Sequence, residues 1–459
     1  MSNSLQENKM GTMPIGKLII SMSLPIMVSM LVSALYNVID SIFVSRISEN
    51  ALTAVSLAFP IQNLMIAIST GTGVGINAML SMNLGKKDFK AVNRVAMNGI
   101  FLAACSYILF LIFGLFFARP FFEAQTDVLE IVEYGCQYLN IISIMSFGVF
   151  GQITMERLLQ ATGKTLFSMF TQGTGAIINI ILDPIMIFGL FGFPAMGVAG
   201  AAIATVIGQI IALTMAIIFN LKFNHEIQFS LSTFRPHLQT IRSIYSVGLP
   251  SIIMASIGSI MTFSMNQILM VFTPTAVAVF GVYFKLQSFI FMPVFGLNNG
   301  MIPIIAFNYG AKNPLRIIKT VKLCIVYAVV LMALGFLIFE LFPIPLLKLF
   351  DASEQMIIIG VPALRIIAVH FLFAGFCIVF MSVFQSLGKG FTSLIVSVAR
   401  QLLALLPIAW ILSKTGILSM VWWAFPIAEV VSLLVSSFFI YRIYHREIKT
   451  MIEVNDISA

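Results

Sequence analysis

Residues 18–44 read LIISMSLPIMVSMLVSALYNVIDSIFV, and Asp40 is the only charged residue among them. A helix that crosses a bilayer needs about 20 mostly apolar residues. This stretch is long enough and apolar enough to be such a span. It also carries two features that a merely hydrophobic anchor does not need, a proline at 25 and a Tyr36-Asn37-Val-Ile-Asp40 segment near its far end.

The rest of the chain has the same character. Of 459 residues, 59% are hydrophobic and 10% charged, and the mean hydropathy is +1.02. A soluble domain carries roughly 25% charged residues. A water-facing surface cannot be built for a chain of this length from so few charges, which excludes a cytosolic enzyme, a secreted domain and a disordered chain. Apolar stretches fall at about 18–44, 52–82, 95–117, 130–158, 166–190, 197–221, 244–272, 276–307, 317–342, 355–384, 391–413 and 417–441, giving twelve expected spans. They lack the short apolar–polar alternation of a membrane barrel. The fold class expected is an all-α polytopic membrane protein. The first 17 residues are polar and the run after them is of full helix length, as expected of a first span and not of a cleavable leader. The cysteines (Cys105, Cys136, Cys324, Cys377) stand singly in apolar runs, with neither metal spacing nor a disulfide framework.

Charge placement gives orientation. With the N-terminus inside, nineteen Lys and Arg fall in cytoplasmic segments, among them Lys86, Lys87, Lys164, Arg235, Arg316 and Lys389, against four outside (Arg46, Arg119, Lys348, Lys414). This is the positive-inside pattern. It also accounts for the net charge of +8 without nucleic acid as a partner. Both termini are therefore expected in the cytoplasm.

The chain repeats itself. A shift of 225 residues brings Leu24-Pro25 onto Leu249-Pro250, Gln62 onto Gln287, Gly71 and Gly75 onto Gly296 and Gly300, Asn83 onto Asn308, Lys87 onto Lys312, and Gln160, Gly163 and Lys164 onto Gln385, Gly388 and Lys389. Near the end of each half the shift becomes 224 and brings Ala204 onto Ala428. Each half therefore holds six spans. Six is even, so both halves enter from the same side and are expected to be related by a pseudo-twofold axis along the membrane normal. The expected organisation is an N-lobe at 1–221, a polar linker at 222–243 and a C-lobe at 244–459. Two such bundles predict a transporter whose lobes rock about a central cavity.

Ionisable residues within spans are expensive and mark function. Asp40 shares a helix face with Tyr36 and Asn37. Asp183 follows Asn179 by one turn in Asn179-Ile-Ile-Leu-Asp183-Pro184. Counted from the cytoplasmic ends of their spans, the two aspartates lie at similar depth, about 26–33 Å along the path. One such residue can simply cap a helix near the interface. Two at one depth, each with an amide neighbour, can bind a small hard cation through oxygen or hold a shared proton. The second half lacks them: Asp40 falls on Met265 and Asp183 on Ile408. Pro25 removes a backbone hydrogen bond and makes a kink or hinge. Glu429, which falls on Thr205, can attract a cationic substrate or pair with Arg400. Glu156 is expected to pair with Arg157, and Lys285 and Arg365 to snorkel or pair.

On these residues the chain resembles the MATE (multidrug and toxic compound extrusion) family, in its MepA-like/DinF-like bacterial branch. The segments that carry the likeness are Leu24-Pro25, Tyr36-Asn37-Val-Ile-Asp40, Asn83-Leu-Gly85-Lys86, Asn308-Tyr-Gly310-Ala311-Lys312, Leu159-Gln160-Ala-Thr-Gly163, Phe384-Gln385-Ser-Leu-Gly388, Asn179-Ile-Ile-Leu-Asp183-Pro184 and Gly197-Val-Ala-Gly200-Ala-Ala-Ile-Ala-Thr205. The resemblance implies a twelve-helix antiporter, not an enzyme, that exports amphipathic and cationic organic compounds in exchange for Na+ or H+. It needs no cofactor beyond the coupling ion and works as a monomer in the lipid bilayer. A flippase of lipid-linked precursors, from the same broader superfamily, is the alternative. The implied cation site is Asp40, Asn179, Asp183 and Thr205, with Tyr36 beside it; the same four oxygen-bearing residues would hold Na+. Pro25 is the implied hinge, and Asn37, Gln287, Glu429 and Met265 are candidates for the substrate cavity. NorM-type members place acids in spans 7 and 10. Here the span 7 counterpart is Gly258 and span 10 has no mid-membrane acid, so coupling is expected in the N-lobe.

Overall fold

The structure is a computed structural model that describes residues 8–230 and 234–458. Among the described residues every regular element is helical. Ten helices are long and apolar enough to cross a membrane alone, and two bent pairs complete a set of twelve. In chain order they are α1 (Ile15–Ser45), α2 (Glu49–Gly85), α3 (Phe89–Phe116), α4 (Leu129–Ile144 with Phe147–Ala161), α5 (Thr165–Phe188), α6 (Gly197–Phe223), α7 (Leu238–Met270), α8 (Pro274–Gly310), α9 (Pro314–Leu341), α10 (Glu354–Ala368 with Phe371–Ser386), α11 (Gly390–Ser413) and α12 (Leu418–Val454). The backbone satisfies itself inside each helix, as hydrocarbon requires. Large apolar side chains such as Leu109, Leu115, Leu334 and Phe438 face outward.

The internal repeat is a repeat of backbone geometry. α4 and α10 bend by 44° and 48°. At both breaks the α-helical ladder is interrupted by tighter three-residue bonds, Ser146 N–H to Ser143 O and His370 N–H to Ile367 O. Lys87 and Lys312 both adopt the left-handed conformation, at φ 59° and 53°. So do Gly163 and Gly388, at 91° and 77°. The same chain reversals follow: Asp88 N–H reaches Asn83 O, as Asn313 N–H reaches Asn308 O. Asp88 and Asn313 then cap the next helix through Ala91 N–H and Arg316 N–H.

By packing, the chain divides into two compact units, and the division falls inside two helices. The N-unit is Val28–Gly248; the C-unit holds the chain up to Met27 and again from Leu249. The cause lies in the repeated glycines. In the N-unit, a Cβ on Gly75 would collide with Ile244 O and lie 3.2 Å from Gly248 N, so the first turns of α7 press directly on α2. In the C-unit, a Cβ on Gly296 would lie 2.6 Å from Met27 Cα, and one on Gly300 2.8 Å from Ser23 Cα, so the first half of α1 presses on α8. Ser23 Oγ also donates to Leu297 O at 3.1 Å. Residues before α1 are held in the same unit: Arg316 donates to Met10 O and Met13 O, and Asn308 to Met10 O. The repeat boundary, at 222–243, is therefore not where packing divides the chain. Of that expected linker, 231–233 lie outside the described residues. α6 runs on to Phe223 and α7 already begins at Leu238. Between them the chain is tied down by Asn93 Oδ1, which accepts from Gln228 N–H, and Asn98 Oδ1, which accepts from His237 N–H.

Candidate cation site

The N-unit brings Asp40, Tyr36, Asn179, Asp183 and Thr205 together. α5 and α6 approach closely because both are glycine-notched. A Cβ on Gly208 would lie 2.7 Å from Gly175 O, and one on Gly200 2.5 Å from Met186 O. The close approach lets Asn179 Nδ2 on α5 donate to Thr205 Oγ1 on α6 at 3.1 Å and to Asp183 Oδ1, one turn away, at 3.3 Å. Asp183 is fully buried and Asn179 nearly so. From α1, the Asp40 carboxyl lies within hydrogen-bonding reach of the Asp183 carboxyl, and Tyr36 lies beside both.

The oxygens of this cluster are under-satisfied. Asp40 Oδ1, Asn179 Oδ1 and Asp183 Oδ2 are all buried and none has a hydrogen-bond partner in the protein. Buried polar atoms are normally paired, and a buried carboxylate without a partner is costly. Two carboxyls, an amide oxygen and a hydroxyl form a donor set suited to one small hard cation. The same two carboxyls can instead share a proton. Among the described residues no group of three or more His, Cys, Asp and Glu is placed to hold a metal ion.

Two neighbours escaped the sequence reading. Tyr138 on α4 is buried against the site, close to Asp40, Asp183 and Tyr36, and lies within reach of Gln62 of α2. Gln62 stands out in the sequence only as half of a repeated pair. Tyr138 carries no periodic signal at all, because its neighbours on α4 are also mixed polar and apolar.

The other singled-out residues lie elsewhere. Asn37 is exposed, with its amide donating to Ser33 O. Gln287 is half-buried with Oε1 unpartnered, and Met265 is fully buried in the C-unit. Glu429 pairs with Arg400 at 3.4 Å. Glu156 accepts from Gln152 and Thr171, while Arg157 donates to Gln160. Arg365 pairs with Glu340 at 3.7 Å, and Lys285 sits over the Phe350 ring.

A family model described as MatE matches the chain twice, over residues 25–185 and 250–411, and the two matches begin on Pro25 and Pro250. The chain belongs to the MatE family. Among curated relatives, the multidrug export protein MepA of Staphylococcus haemolyticus is 28% identical over 94% of both chains. That of Staphylococcus aureus (strain NCTC 8325 / PS 47) is 25% identical over 94% of this chain and 95% of its own. Among solved structures, an outward-facing conformation of a multidrug resistance MATE family transporter of the MOP superfamily superposes with a TM-score of 0.90, at 25% identity, over 98% of this chain and 99% of that one. As in the MATE fold generally, twelve helices form two bundles.

Proposed function

We propose that this MatE-family chain is a secondary active multidrug efflux antiporter that exports amphipathic and cationic organic compounds in exchange for Na+ or H+. The observation that carries the reading is the meeting of Asp40 and Asp183 in a buried pocket with three unpartnered oxygens. Such a pocket favours a positive charge strongly, and an ion that enters it neutralises carboxylates at low dielectric. The names of the MepA relatives support the substrate class. The basic end of the bundle, with Lys86, Lys87, Lys164, Lys312 and Lys389, is then the cytoplasmic side.

Coupling follows from the course of α1. Asp40 lies in its N-unit part, whereas the residues up to Met27, including Pro25, belong to the C-unit. Ion binding at Asp40 and Asp183 changes how the outer part of α1 is held, and Pro25 supplies the weak point at which α1 bends. Ion and cationic drug compete, so that inward ion movement drives drug release. The test is drug efflux from proteoliposomes with imposed Na+ or pH gradients, one at a time, for the wild type and for Asp40→Asn and Asp183→Asn. The variants should insert but lose gradient-driven efflux. Normal efflux by both would overturn the reading.

A further inference from the structure

We propose that α9 carries a binding site for one anionic phospholipid, with Lys319 and Lys322 on the phosphate and the apolar stripe below them along the acyl chains. The inference goes beyond the antiport reading and does not depend on it. α9 buries Ile317, Thr320, Cys324 and Ala328 along one line. On the opposite line Leu315, Lys319, Lys322, Val326, Val330 and Leu334 are all exposed. Their spacing of three and four residues keeps them on one face. From Leu323 to Phe339 the helix carries no charged residue, and Glu340 at its far end pairs with Arg365. Lys322 is therefore the last charge before the hydrocarbon. Lys319 stands one turn further out, about 4.5 Å along the axis. A lysine in a loop helps to set orientation and selects no lipid. These two stand within the lipid-facing stripe itself, where lysine lays its stem on apolar surface and holds its ammonium at headgroup level.

The comparison between repeats shows that this face is particular to α9. Under the shift of 225, Ile318 falls on Asn93, Lys322 on Met97, Leu323 on Asn98 and Val326 on Phe101. In the N-unit the chain between α6 and α7 lies across these positions of α3. Asn93 and Asn98 accept from Gln228 N–H and His237 N–H, and the Phe101 ring meets that of Phe234 at 5.8 Å. Met97 is accordingly buried. On α9 the amides are replaced by Ile318 and Leu323, which cannot fasten such a segment. Lysine replaces the buried methionine, and Val326 is 55% exposed. The cover that the first repeat supplies from its own chain is left on α9 to the bilayer, and a pair of lysines there favours an anionic headgroup.

Nearby charges leave the pair available. Among the described residues neither Lys319 nor Lys322 has a carboxylate at ion-pairing distance. Arg316, on the same helix, is turned inward to Met10 O, Met13 O and Asn308. The final helical segment, Lys449–Ser458, packs on α9 as well, and both lysines stay exposed with it in place. Of the acids around that segment, Glu447 is held by Lys389 and Tyr309, and Glu453 pairs with Lys449 at 3.8 Å. Two ammonium groups one turn apart match the two free oxygens of a phosphodiester, and Val326, Val330 and Leu334 continue the face into the acyl region.

The experiment uses the full chain in bilayers, with a bimane reporter on Val330→Cys and with Cys105→Ser and Cys136→Ser to keep the label at one place. Quenching by brominated phosphatidylglycerol is compared with quenching by brominated phosphatidylcholine, and their ratio gives the relative association constant at this face. Phosphatidylglycerol should bind about tenfold to thirtyfold more tightly. Lys319→Gln/Lys322→Gln should bring the ratio close to one, and Lys319→Arg/Lys322→Arg should keep it high. Lys86→Gln/Lys87→Gln, at the basic end of the N-unit, should leave it unchanged. Equal quenching by the two lipids in the reporter chain, or a preference that survives the double glutamine variant, overturns the inference. A reporter that neither lipid quenches would mean that protein, such as a second copy of the chain, covers the face, and overturns it too. The antiport reading is judged separately, by whether Asp40→Asn and Asp183→Asn abolish gradient-driven efflux.

Discussion

Asp183 is fully buried and still has an oxygen that nothing in the protein satisfies. Replacing it by Asn keeps the shape and removes the charge, so Asp183→Asn should insert normally while efflux falls to the level of protein-free vesicles. Thr205→Ala tests the other wall of the site. It removes the acceptor of the Asn179 amide, and the loss of one neutral hydrogen bond costs about 1 kcal/mol. We expect Thr205→Ala to weaken coupling-ion affinity by about fivefold to tenfold at that energy, read from the ion concentration that half-drives efflux; an unchanged value would remove Thr205 from the site. At this scale the sequence was informative where chemistry is unusual for a membrane. Asp40, Asn179 and Asp183 are polar residues in apolar runs and announce themselves. Tyr138 and Gln62 do not, because a tyrosine or glutamine gains its role only from what the fold places opposite it.

Helix contacts set the next scale, and glycine controls them. Gly75 has no room for a Cβ against Ile244 O. Gly75→Ala must displace α7 from α2 and should destabilise the protein by about 1–3 kcal/mol, seen as a lower Tm in detergent. Gly258 has open space around its missing Cβ. Gly258→Ala should raise stability by up to about 1 kcal/mol through helix propensity. If both substitutions moved Tm alike, direct backbone contact would not be what holds α7 to α2. The bends in α4 and α10 were not legible as bends, because the apolar pattern at 130–158 and 355–384 is continuous through them. The three-residue bonds that break the ladder are a property of the backbone path.

For the whole molecule, the consequential fact is that α1 and α7 each serve two units. The changes of unit fall at Met27/Val28 and Gly248/Leu249, within three residues of Pro25 and Pro250. Both prolines remove a helix hydrogen bond where the chain passes between units. We therefore expect Pro250→Ala, like Pro25→Ala, to slow drug efflux while leaving drug Kd at equilibrium nearly unchanged. A Pro250→Ala variant with wild-type efflux would leave Pro25 as the sole working joint. Each unit also fastens the segment that follows its last helix, or the end of that helix, by a repeated lysine: Lys164 to Glu226 in the N-unit and Lys389 to Glu447 in the C-unit.

By itself the sequence determined the membrane class, the twelve spans, the twofold repeat and the unequal sharing of acids between its halves. Apolar length, charge placement and turn residues are local properties, and hydrocarbon tolerates few alternatives to a helix. The tertiary structure decided which residues meet. It carried the first part of α1 into the C-unit and the first turns of α7 into the N-unit, because glycine notches 225 residues apart allow backbone contact only with those partners. It also set Asp40 against Asp183 and Glu429 against Arg400. Neither is readable from spacing, since the residues concerned lie on different helices and are joined only by packing.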